Sequence, residues 1–333
     1  MILVTGATGM VGGHLLYRFR ESATQIKAIY RNPASIDKTR TIFNSYRKGD
    51  AALVDNFKWV PGDLLDLPSL EDAMEGIDQV YHCAAILGDA SFDKMKQVNV
   101  TGTKYLVDIA IARGISKFCY VSSIATLANP VAGKSITEDD FFNPDALNTD
   151  YAISKYGGEM EVWRASQEDL DVVIVNPGVI LGEGDYNNGS GKLWSASAAT
   201  QPFYTSGSSG FVDVRDVAEI MQLLMNSDIK NERFTLVADN VEFKKILENI
   251  SIAIHSKKPS ILLTKWMLYT AWILGKIPSW LGIMKGLSRA EIITYTSNSK
   301  YDNEKVEEQL SYKFTALKNS IERVSSHFLE NKE

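Results

Sequence analysis

Residues 1–20, MILVTGATGMVGGHLLYRFR, contain the pattern that decides the fold. The apolar run ILV at residues 2–4 has β propensity, and apolar residues recur at helical spacing at positions 15, 16 and 19. Between them, TGATGMVG at residues 5–12 contains three glycines spaced three residues apart. This stretch therefore predicts a strand, a glycine-rich turn and a helix.

Each glycine of the turn has its own physical role in binding a dinucleotide. Gly6 permits the tight turn, Gly9 lets the backbone approach a pyrophosphate, and Gly12 lets the helix pack against the strand. A helix that begins near Met10 would present its free N–H groups to the phosphates. The alternative is a glycine-rich turn that holds no ligand. The candidate cofactor-binding residues of this turn are Gly6, Thr8, Gly9, Met10, Val11 and Gly12.

The composition is that of an ordinary globular protein and excludes several classes of function. The chain has 333 residues, of which 45% are hydrophobic and 23% are charged. The net charge of -6 argues against binding of nucleic acid, which needs clustered Lys and Arg. Cys83 and Cys119 lie in apolar runs without metal-binding spacing, so we expect reduced core residues and no metal site.

Two stretches bear on localisation. Met1 begins directly in the first predicted strand, which leaves no room for a signal peptide, and we expect a cytoplasmic protein. The longest apolar stretch, residues 261–284, is interrupted by Lys265, Lys276 and Pro278, so we expect no stable membrane insertion. This stretch could instead be a substrate lid, a dimer contact or a patch on a membrane surface.

Strands alternate with helices through the first half of the chain, which predicts an α/β fold with a doubly wound parallel sheet and helices on both faces. The ligand crevice would then lie at the carboxyl ends of the strands. Predicted strands lie at residues 2–4, 25–30, 57–60, 79–85, 117–122, 172–175 and 234–237, and predicted helices near residue 10 and at 70–74, 98–112 and 151–166.

The sequence after Gly178 predicts a second, smaller and mostly helical lobe that binds substrate. We assign residues 1–177, together with about 211–230, to the nucleotide-binding domain, and residues 178–210 and 231–333 to the substrate-binding lobe. Residues 211–226 are expected to rejoin the main sheet.

Tyr151 and Lys155 form the strongest chemical signal, because residues at i and i+4 share one face of a helix. A tyrosine has a pKa of about 10. A nearby ammonium favours the phenolate, as would an oxidised nicotinamide, so this phenol could exchange a proton near neutrality. Lys155 could also hold a ribose hydroxyl. The alternative is a surface Tyr and Lys on an amphipathic helix.

A pair of serines, Ser122 and Ser123, follows the fifth predicted strand and would reach the same crevice. A hydroxyl there could donate to a substrate carbonyl oxygen beside the tyrosine. The alternative is that the pair only forms a turn.

With these motifs in order, the chain resembles an extended short-chain dehydrogenase/reductase. It is most similar to the dihydroflavonol reductase-like, cinnamoyl-CoA reductase-like and 3β-hydroxysteroid dehydrogenase-like members, which implies a Rossmann-type fold. The motifs that carry the resemblance are TGATGMVG at residues 5–12, GDL at 62–64, HCAA at 82–85, NVTGT at 99–103, SS at 122–123, YAISK at 151–155 and NPGV at 176–179.

The resemblance implies roles for the catalytic residues. Ser123 would polarise the carbonyl, although Ser122 is an open alternative because the register of this loop varies. Tyr151 would be the general acid in reduction, and Lys155 would lower the tyrosine pKa while binding the nicotinamide ribose. Asn176 is a departure, since many relatives have Arg there.

The resemblance also implies contacts to the cofactor. Asp63 and Leu64 would contact adenine, and Ala84 and Ala85 the pyrophosphate–ribose side. Asn99 would steady a backbone carbonyl or a water, or only support the fourth strand. The implied contacts with the nicotinamide come from Pro177 and Val179.

The residue after the second strand normally selects the cofactor, and Tyr30-Arg31-Asn32 contains no acid for a ribose 2′-hydroxyl. We therefore predict NADP(H) bound by Arg31, with NAD(H) as the alternative. Arg31 could also simply begin a solvated loop, since Arg18, Lys38 and Arg40 nearby are equally compatible with a charged surface.

The second lobe has few arginines for a diphosphate and many aromatic residues, which favours a small, mostly apolar carbonyl compound or alcohol as substrate. The aromatics could instead be core or a dimer contact, and similar proteins often form homodimers. Competing interpretations are a nucleotide-sugar epimerase or dehydratase that retains NAD, and a non-catalytic cofactor-sensing regulator. The predicted substrate-lining regions are residues 86–92, 182–194 and 266–284.

Overall fold

The computed structural model describes residues 1–88, 90–128, 133–280 and 287–331, and of residues 275–280 the backbone alone. The strands are β1 (Ile2–Thr5), β2 (Ile26–Tyr30), β3 (Lys58–Pro61), β4 (Gln79–His82), β5 (Lys117–Val121), β6 (Asp171–Pro177), β7 (Val179–Leu181), β8 (Phe203–Tyr204), β9 (Ser208–Asp213), β10 (Glu232–Leu236), β11 (Asp239–Glu242) and β12 (Ile261–Leu262). The α-helices are α1 (Met10–Arg18), α2 (Ile36–Tyr46), α3 (Leu67–Ala73), α4 (Phe92–Lys96), α5 (Thr103–Ala112), α6 (Asp150–Ala165), α7 (Lys192–Ala198), α8 (Val214–Met225), α9 (Phe243–Ala253), α10 (Lys265–Trp280), α11 (Arg289–Thr296), α12 (Glu304–Leu310) and α13 (Leu317–Glu330).

The main sheet has seven parallel strands in the order β10-β6-β5-β4-β1-β2-β3. Helices cover both faces, which explains why its central strands are apolar throughout. On one face, α1 and α8 bury Leu15, Leu16 and Leu224 against the sheet. On the other, α5 and α6 bury Leu106 and Val162. The predicted Rossmann-type doubly wound fold is confirmed.

The strand at the sheet edge differs from the prediction. Of residues 211–226, helix α8 packs on the main sheet as predicted, but residues 211–213 belong to β9, which pairs with β7 and β11 in a separate three-stranded sheet. Close packing of two glycines permits this, since a Cβ atom at Gly178 would lie 2.4 Å from the carbonyl oxygen of Gly210. The seventh strand is β10, which pairs with β6 and places Phe234 opposite Val175.

The smaller lobe is built around α7, α9 and α13, whose apolar faces enclose the fully buried Trp194. Helix α10 extends from this region. Within the described ranges, no helix is both long enough and apolar enough to cross a membrane. Part of the predicted substrate-lining sequence, residue 89 and residues 281–284, lies outside the described residues, as does the side chain of Trp280.

Candidate active site

The glycine turn between β1 and α1 has the close backbone packing that a dinucleotide site needs. Gly6 has a φ of +65°, and a Cβ atom there would lie 2.6 Å from the backbone nitrogen of Ala84. A Cβ atom at Gly12 would lie 2.2 Å from the carbonyl oxygen of Gly6. Gly9 precedes α1 without any side-chain cap, so the first N–H groups of this helix can donate to a phosphate. The turn therefore fits the predicted dinucleotide.

The rest of the glycine turn contacts α2 on one side and the loop at residues 182–184 on the other. Thr8, Met10 and Val11 are half-buried. The hydroxyl of Thr39 on α2 donates to the carbonyl oxygen of Ala7 at 3.1 Å. Opposite it, the side chain of Met10 lies against the loop at residues 182–184, where a Cβ atom at Gly184 would come within 3.7 Å of it.

Arg31 is exposed and makes no hydrogen bond or ion pair with any residue that the structure describes. The three other basic residues near the predicted 2′-phosphate site each form an ion pair with an acid. Arg18 contacts Glu219 at 3.2 Å, Lys38 contacts Asp185 at 3.0 Å, and Arg40 contacts Asp55 at 2.6 Å.

The adenine-side candidates lie at the end of β3. The carboxylate of Asp63 accepts from the N–H of Leu65 at 2.9 Å, which fixes the turn. Leu64 is buried, and a Cβ atom at Gly102 would lie 2.7 Å from its Cβ. Both residues thus occupy one well-defined backbone turn, and their contact with adenine stays a prediction.

Asn99 is buried and holds the loop that follows β4. Its side chain accepts from the N–H of Ile86 at 2.8 Å and donates to the Ile86 carbonyl oxygen at 3.0 Å. It also donates to the hydroxyl of Ser154 at 3.0 Å. Asn99 therefore steadies the backbone next to Ala84 and Ala85 and ties it to α6.

Ser123 and Tyr151 meet at the carboxyl end of β5. Tyr151 is half-buried, and the hydroxyl of Ser123 lies close enough to its phenol to lower the phenol pKa. Ser122 points the other way, since its hydroxyl donates to the buried carboxylate of Glu159 at 2.5 Å. Of the two serines, Ser123 is thus the one beside the tyrosine.

Lys155 is bonded to residues of β5, and its role towards Tyr151 stays a prediction. Its Nζ is buried and donates to the hydroxyl of Tyr120 at 2.8 Å and to the carbonyl oxygen of Val121 at 2.7 Å. Burial raises the pKa of Tyr151 to about 12, although the Ser123 hydroxyl opposes this rise. Burial also lowers the pKa of Lys155 to about 7, against the attraction of Glu159. In this state of the chain, desolvation outweighs the expected stabilisation of the phenolate.

Glu159, one helical turn after Lys155, organises the polar groups behind the two serines. Its fully buried carboxylate accepts from Thr126 at 2.6 Å and from the side-chain amide of Asn176 at 3.0 Å. The guanidinium of Arg233 on β10 contacts it at 3.1 Å. Arg233 therefore supplies positive charge close to Asn176, the position where many relatives have Arg.

A second buried carboxylate, Glu183, lies beside the glycine turn. Arg323 of α13 donates to both of its oxygens at 2.5 Å, and Arg215 donates to one at 2.8 Å. Burial alone would raise the pKa of Glu183, but His14, Arg323 and Arg215 overcome it and lower the pKa to about 2. Burial lowers the pKa of His14 to about 4 despite the nearby carboxylate.

A cavity of about 420 Å³ lies in the smaller lobe and begins at Val179, which follows Pro177 at the end of β6. Of the three predicted lining regions, residues 182–194 contribute Gly189, Ser190, Lys192 and Leu193, whereas the described residues of 86–92 and 266–284 do not line this cavity. Apolar side chains dominate its walls: Val179, Leu193, Phe203, Phe211, Phe243, Leu247 and Tyr295.

Sequence reasoning missed Tyr120, Glu159, Glu183, Arg233 and Arg323. Only Glu159 had a local signal, because it is four residues after Lys155 on the same helix. Arg233 and Glu159 are 74 residues apart, so their contact depends on the β10–β6 pairing. Among the described residues, no three His, Cys, Asp or Glu side chains are grouped as a metal site would require.

The chain is similar in sequence and structure to several known proteins. The chain is 30% identical over 253 residues to sterol demethylase protein B of Methylococcus capsulatus, covering 74% of this chain and 72% of that protein. It is 26% identical to cinnamoyl-CoA reductase 1 of Petunia hybrida over 251 residues, covering 72% and 73% of the two chains. The crystal structure of gox2253 superposes with a TM-score of 0.83 at 24% identity, covering 99% and 98% of the two chains.

The family pattern described as NAD dependent epimerase/dehydratase family matches residues 2–236, from β1 to the end of β10. This range includes the glycine turn and the Ser123, Tyr151 and Lys155 positions. The chain therefore belongs to the NAD-dependent epimerase/dehydratase family, the extended short-chain dehydrogenases/reductases.

Proposed function

We propose that the protein is an NADP(H)-dependent oxidoreductase that reduces the carbonyl group of a small, mostly apolar molecule, or oxidises the corresponding alcohol. The observation that carries this proposal is the convergence of Ser123, Tyr151 and the buried Lys155 at the carboxyl end of β5, where Lys155 is bonded to the Val121 carbonyl oxygen and Ser123 influences the Tyr151 phenol. Family membership alone supports an NAD(P)-dependent enzyme without fixing the reaction.

Tyr151, Ser123 and Lys155 have separate roles in carbonyl reduction. When bound, the nicotinamide supplies the hydride. The Tyr151 phenol gives its proton to the carbonyl oxygen, and the Ser123 hydroxyl donates a hydrogen bond to the same oxygen. Lys155, whose pKa burial lowers to about 7, can take up or release a proton near neutrality behind the tyrosine. In the oxidation the same proton returns to Tyr151.

The preference for NADP(H) is supported by the free guanidinium of Arg31. Arg18, Lys38 and Arg40 are each occupied by an acid, whereas Arg31 has no partner among the described residues. An arginine in this position can pair with a 2′-phosphate.

We therefore expect Arg31→Asp to weaken NADPH binding by about tenfold or more and to improve NADH binding, because a carboxylate repels the phosphate and accepts from the 2′-hydroxyl. Fluorescence titration with both nucleotides measures this. Arg47→Asp, at an exposed arginine elsewhere, is the control. An unchanged NADPH-to-NADH affinity ratio would assign the 2′-phosphate to another residue.

The apolar substrate is supported by the 420 Å³ cavity and its aromatic walls. The two named relatives carry sterol and cinnamoyl in their names, which are both apolar ring-containing groups. The pocket also adjoins Val179, the predicted contact to the nicotinamide. We infer that the apolar part of the substrate occupies this cavity.

The decisive experiment is Tyr151→Phe, assayed as NADPH consumption on a substrate identified by screening apolar ketones and aldehydes. Loss of the general acid should lower kcat by roughly 10²–10⁴-fold with little change in NADPH affinity. Tyr156→Phe on the same helix is the matched control, since Tyr156 stacks on Phe142 and should retain activity. Near-normal turnover by Tyr151→Phe would remove Tyr151 from its assigned role.

A second candidate, favoured by the family pattern itself, is an epimerase or dehydratase that returns the hydride to its own substrate. Such an enzyme keeps its cofactor and shows no net turnover. Release of stoichiometric NAD from heat-denatured purified protein, without NADPH consumption on any carbonyl compound, would favour this reaction.

A further inference from the structure

Helix α10 exposes apolar side chains on the face directed away from the protein. Trp266 and Ile273 are seven residues apart, as are Met267 and Leu274, so the four share one face. Their exposed fractions are 81%, 58%, 44% and 70%. The opposite face is covered, since Leu268 is buried. The helix is thus apolar on both sides, and the described chain covers only one of them.

Apolar side chains are also exposed on the two-stranded sheet whose second strand ends three residues before α10. Strand β12 pairs in parallel with β8, which places Ile261 beside Phe203. Both side chains are exposed, as is Leu262. We call this surface the α10 patch and define it by Phe203, Ile261, Leu262, Trp266, Met267, Ile273 and Leu274.

The sequence around the patch is strongly basic, although the whole chain has a net charge of -6. Residues 249–290 contain no Asp or Glu. They contain six basic residues: Lys257, Lys258, Lys265, Lys276, Lys285 and Arg289. Such a local reversal of charge beside an exposed apolar surface indicates a partner that is both apolar and anionic.

Three cations lie on, or against, the elements that carry the patch. Lys265 is exposed on α10. The guanidinium of Arg289, the first residue of α11, lies 5.8 Å from the ring of Trp272 on α10. Lys244 lies 4.9 Å from the ring of Tyr204 in β8.

The nearest acids do not neutralise these cations as a group. Glu291 is engaged in the capping box of α11 with Ser288, and Glu248 lies 3.8 Å from Lys244 in an exposed pair. Lys244 is thus paired with an acid, whereas Lys265 and Arg289 form no ion pair with any residue that the structure describes.

We propose that the α10 patch docks the protein on the surface of a bilayer that contains anionic lipid. Helix α10 would lie in the interface, with its apolar side chains among the acyl chains and its lysines at the headgroups. Trp266 suits this position, because tryptophan is favoured at the boundary between water and lipid.

Charge argues against a second copy of the chain as the occupant. A two-fold interface through the patch would place the same surface of the two copies face to face. The cations of each copy would then meet a surface whose sequence, residues 249–290, contains no acid to offset them. An anionic bilayer satisfies both the apolar and the charged parts of the surface.

The patch adjoins the substrate cavity, because Phe203 belongs to both. With the function proposed above, an apolar substrate could pass from the lipid into this cavity without crossing water. This route rests on the proposed function, whereas docking on the bilayer does not.

The test is cosedimentation of the full-length protein with vesicles, without cofactor or substrate. The probes are vesicles of phosphatidylcholine alone and of phosphatidylcholine with about 30% phosphatidylglycerol, a composition chosen to give a strong negative surface potential. We expect binding to the anionic vesicles, at least about tenfold weaker binding to the neutral ones, and weakening of the anionic binding by salt.

Two variants separate the apolar and charged contributions. Trp266→Ser/Leu274→Ser should reduce binding to anionic vesicles by about tenfold or more. Its control, Leu67→Ser/Leu147→Ser, removes exposed leucines elsewhere and should bind as the wild type does. Lys258→Glu/Lys265→Glu should abolish the preference for anionic vesicles, whereas Lys48→Glu/Lys94→Glu should preserve it. Thermal melting of each variant confirms that it is folded.

Wild-type protein that stays in solution with both vesicles would overturn the proposal. So would patch variants that bind as tightly as their controls. A lipid-free dimer that Trp266→Ser/Leu274→Ser converts to a monomer would show that a second copy covers the patch instead. Because no activity is measured, none of these outcomes depends on the proposed reaction.

Discussion

Glu159 and Glu183 are both fully buried carboxylates that contact arginine, yet their surroundings differ. Glu159 accepts mainly from neutral groups, the hydroxyls of Ser122 and Thr126 and the amide of Asn176, with one guanidinium at 3.1 Å. Glu183 is bound by two guanidinium groups and lies 3.8 Å from His14.

This difference indicates different functions for the two clusters. Glu159 lies on α6, the helix that carries Tyr151 and Lys155, and its neutral donors include the residue next to Ser123. It therefore positions the serine loop. Glu183 connects α13, near the end of the described chain, to the loop against Met10. It therefore fastens the smaller lobe to the glycine turn.

The largest effect should come from Arg323→Met, which leaves Glu183 with one arginine and leaves the buried Asp213 without its guanidinium partner. Loss of one member of a buried ion pair costs about 3–5 kcal/mol. We expect a corresponding decrease in the free energy of unfolding, measured by urea denaturation, and weaker cofactor binding.

Lys318→Met is the matched control on the same helix. Lys318 is 82% exposed and contacts Glu322 only at 3.8 Å, so its loss should change stability by less than about 0.5 kcal/mol. Equal effects of the two substitutions would mean that the Glu183 cluster contributes no more than a surface pair.

A smaller effect on stability and a larger effect on catalysis should follow from Arg233→Met. The neutral donors of Glu159 remain, so we expect a loss of about 1–3 kcal/mol. Because the serine loop would shift, kcat should fall by roughly 10–100-fold while cofactor affinity is retained. Steady-state kinetics and fluorescence titration measure the two quantities separately.

An arginine placed on the neighbouring strand β6 tests whether a positive charge near Glu159 is what Arg233 contributes. Asn176 lies 3.0 Å from Glu159, and its own side-chain oxygen is buried without a partner among the described residues. Asn176→Arg in the Arg233→Met background should therefore restore part of kcat. If the double variant is no more active than Arg233→Met, the position of the charge does not explain the role of Arg233.

The sequence predicted those parts of the fold and site that depend on local spacing. The glycine turn, the parallel strands and the Tyr151–Lys155 pair follow from intervals of three or four residues, and the seven-stranded sheet confirms the fold. The resemblance implied Ser123 with Ser122 as the alternative, and in the structure Ser122 is bonded to Glu159 whereas Ser123 influences the Tyr151 phenol.

The remaining features depend on contacts between distant parts of the chain. Arg323 and Glu183 are 140 residues apart, and no periodic pattern connects them. The exchange of β9 and β10 in the sheet depends on which strand packs beside β6, and both are short strands with two large apolar residues each. The pKa of Tyr151 could not be predicted either, because it depends on how completely the folded chain excludes water from the phenol.

The smallest predicted effect is a pH dependence of the free energy of unfolding. It distinguishes Lys155, near Glu159, from His14, near Glu183. The folded pKa of Lys155 is about 7, below its ordinary 10.5, so the unfolded chain binds more protons between these values. The contribution of Lys155 to the free energy of unfolding should therefore rise with pH above 7, by up to about 1.4 kcal/mol per pH unit. Lys155→Met should lose this rise between pH 7 and 8.5, as measured by urea denaturation of cofactor-free protein.

His14→Gln is the control, because burial lowers the pKa of His14 to about 4 and its contribution to stability is lost as the pH falls from 6.5 towards 4. The two substitutions should therefore alter stability in separate pH ranges. If Lys155→Met followed the wild-type curve above pH 7, Lys155 would keep its charge in the folded protein. Its bonds to Tyr120 and Val121 would then hold an ammonium at neutral pH, and the proton exchange assigned to it during turnover would need another group.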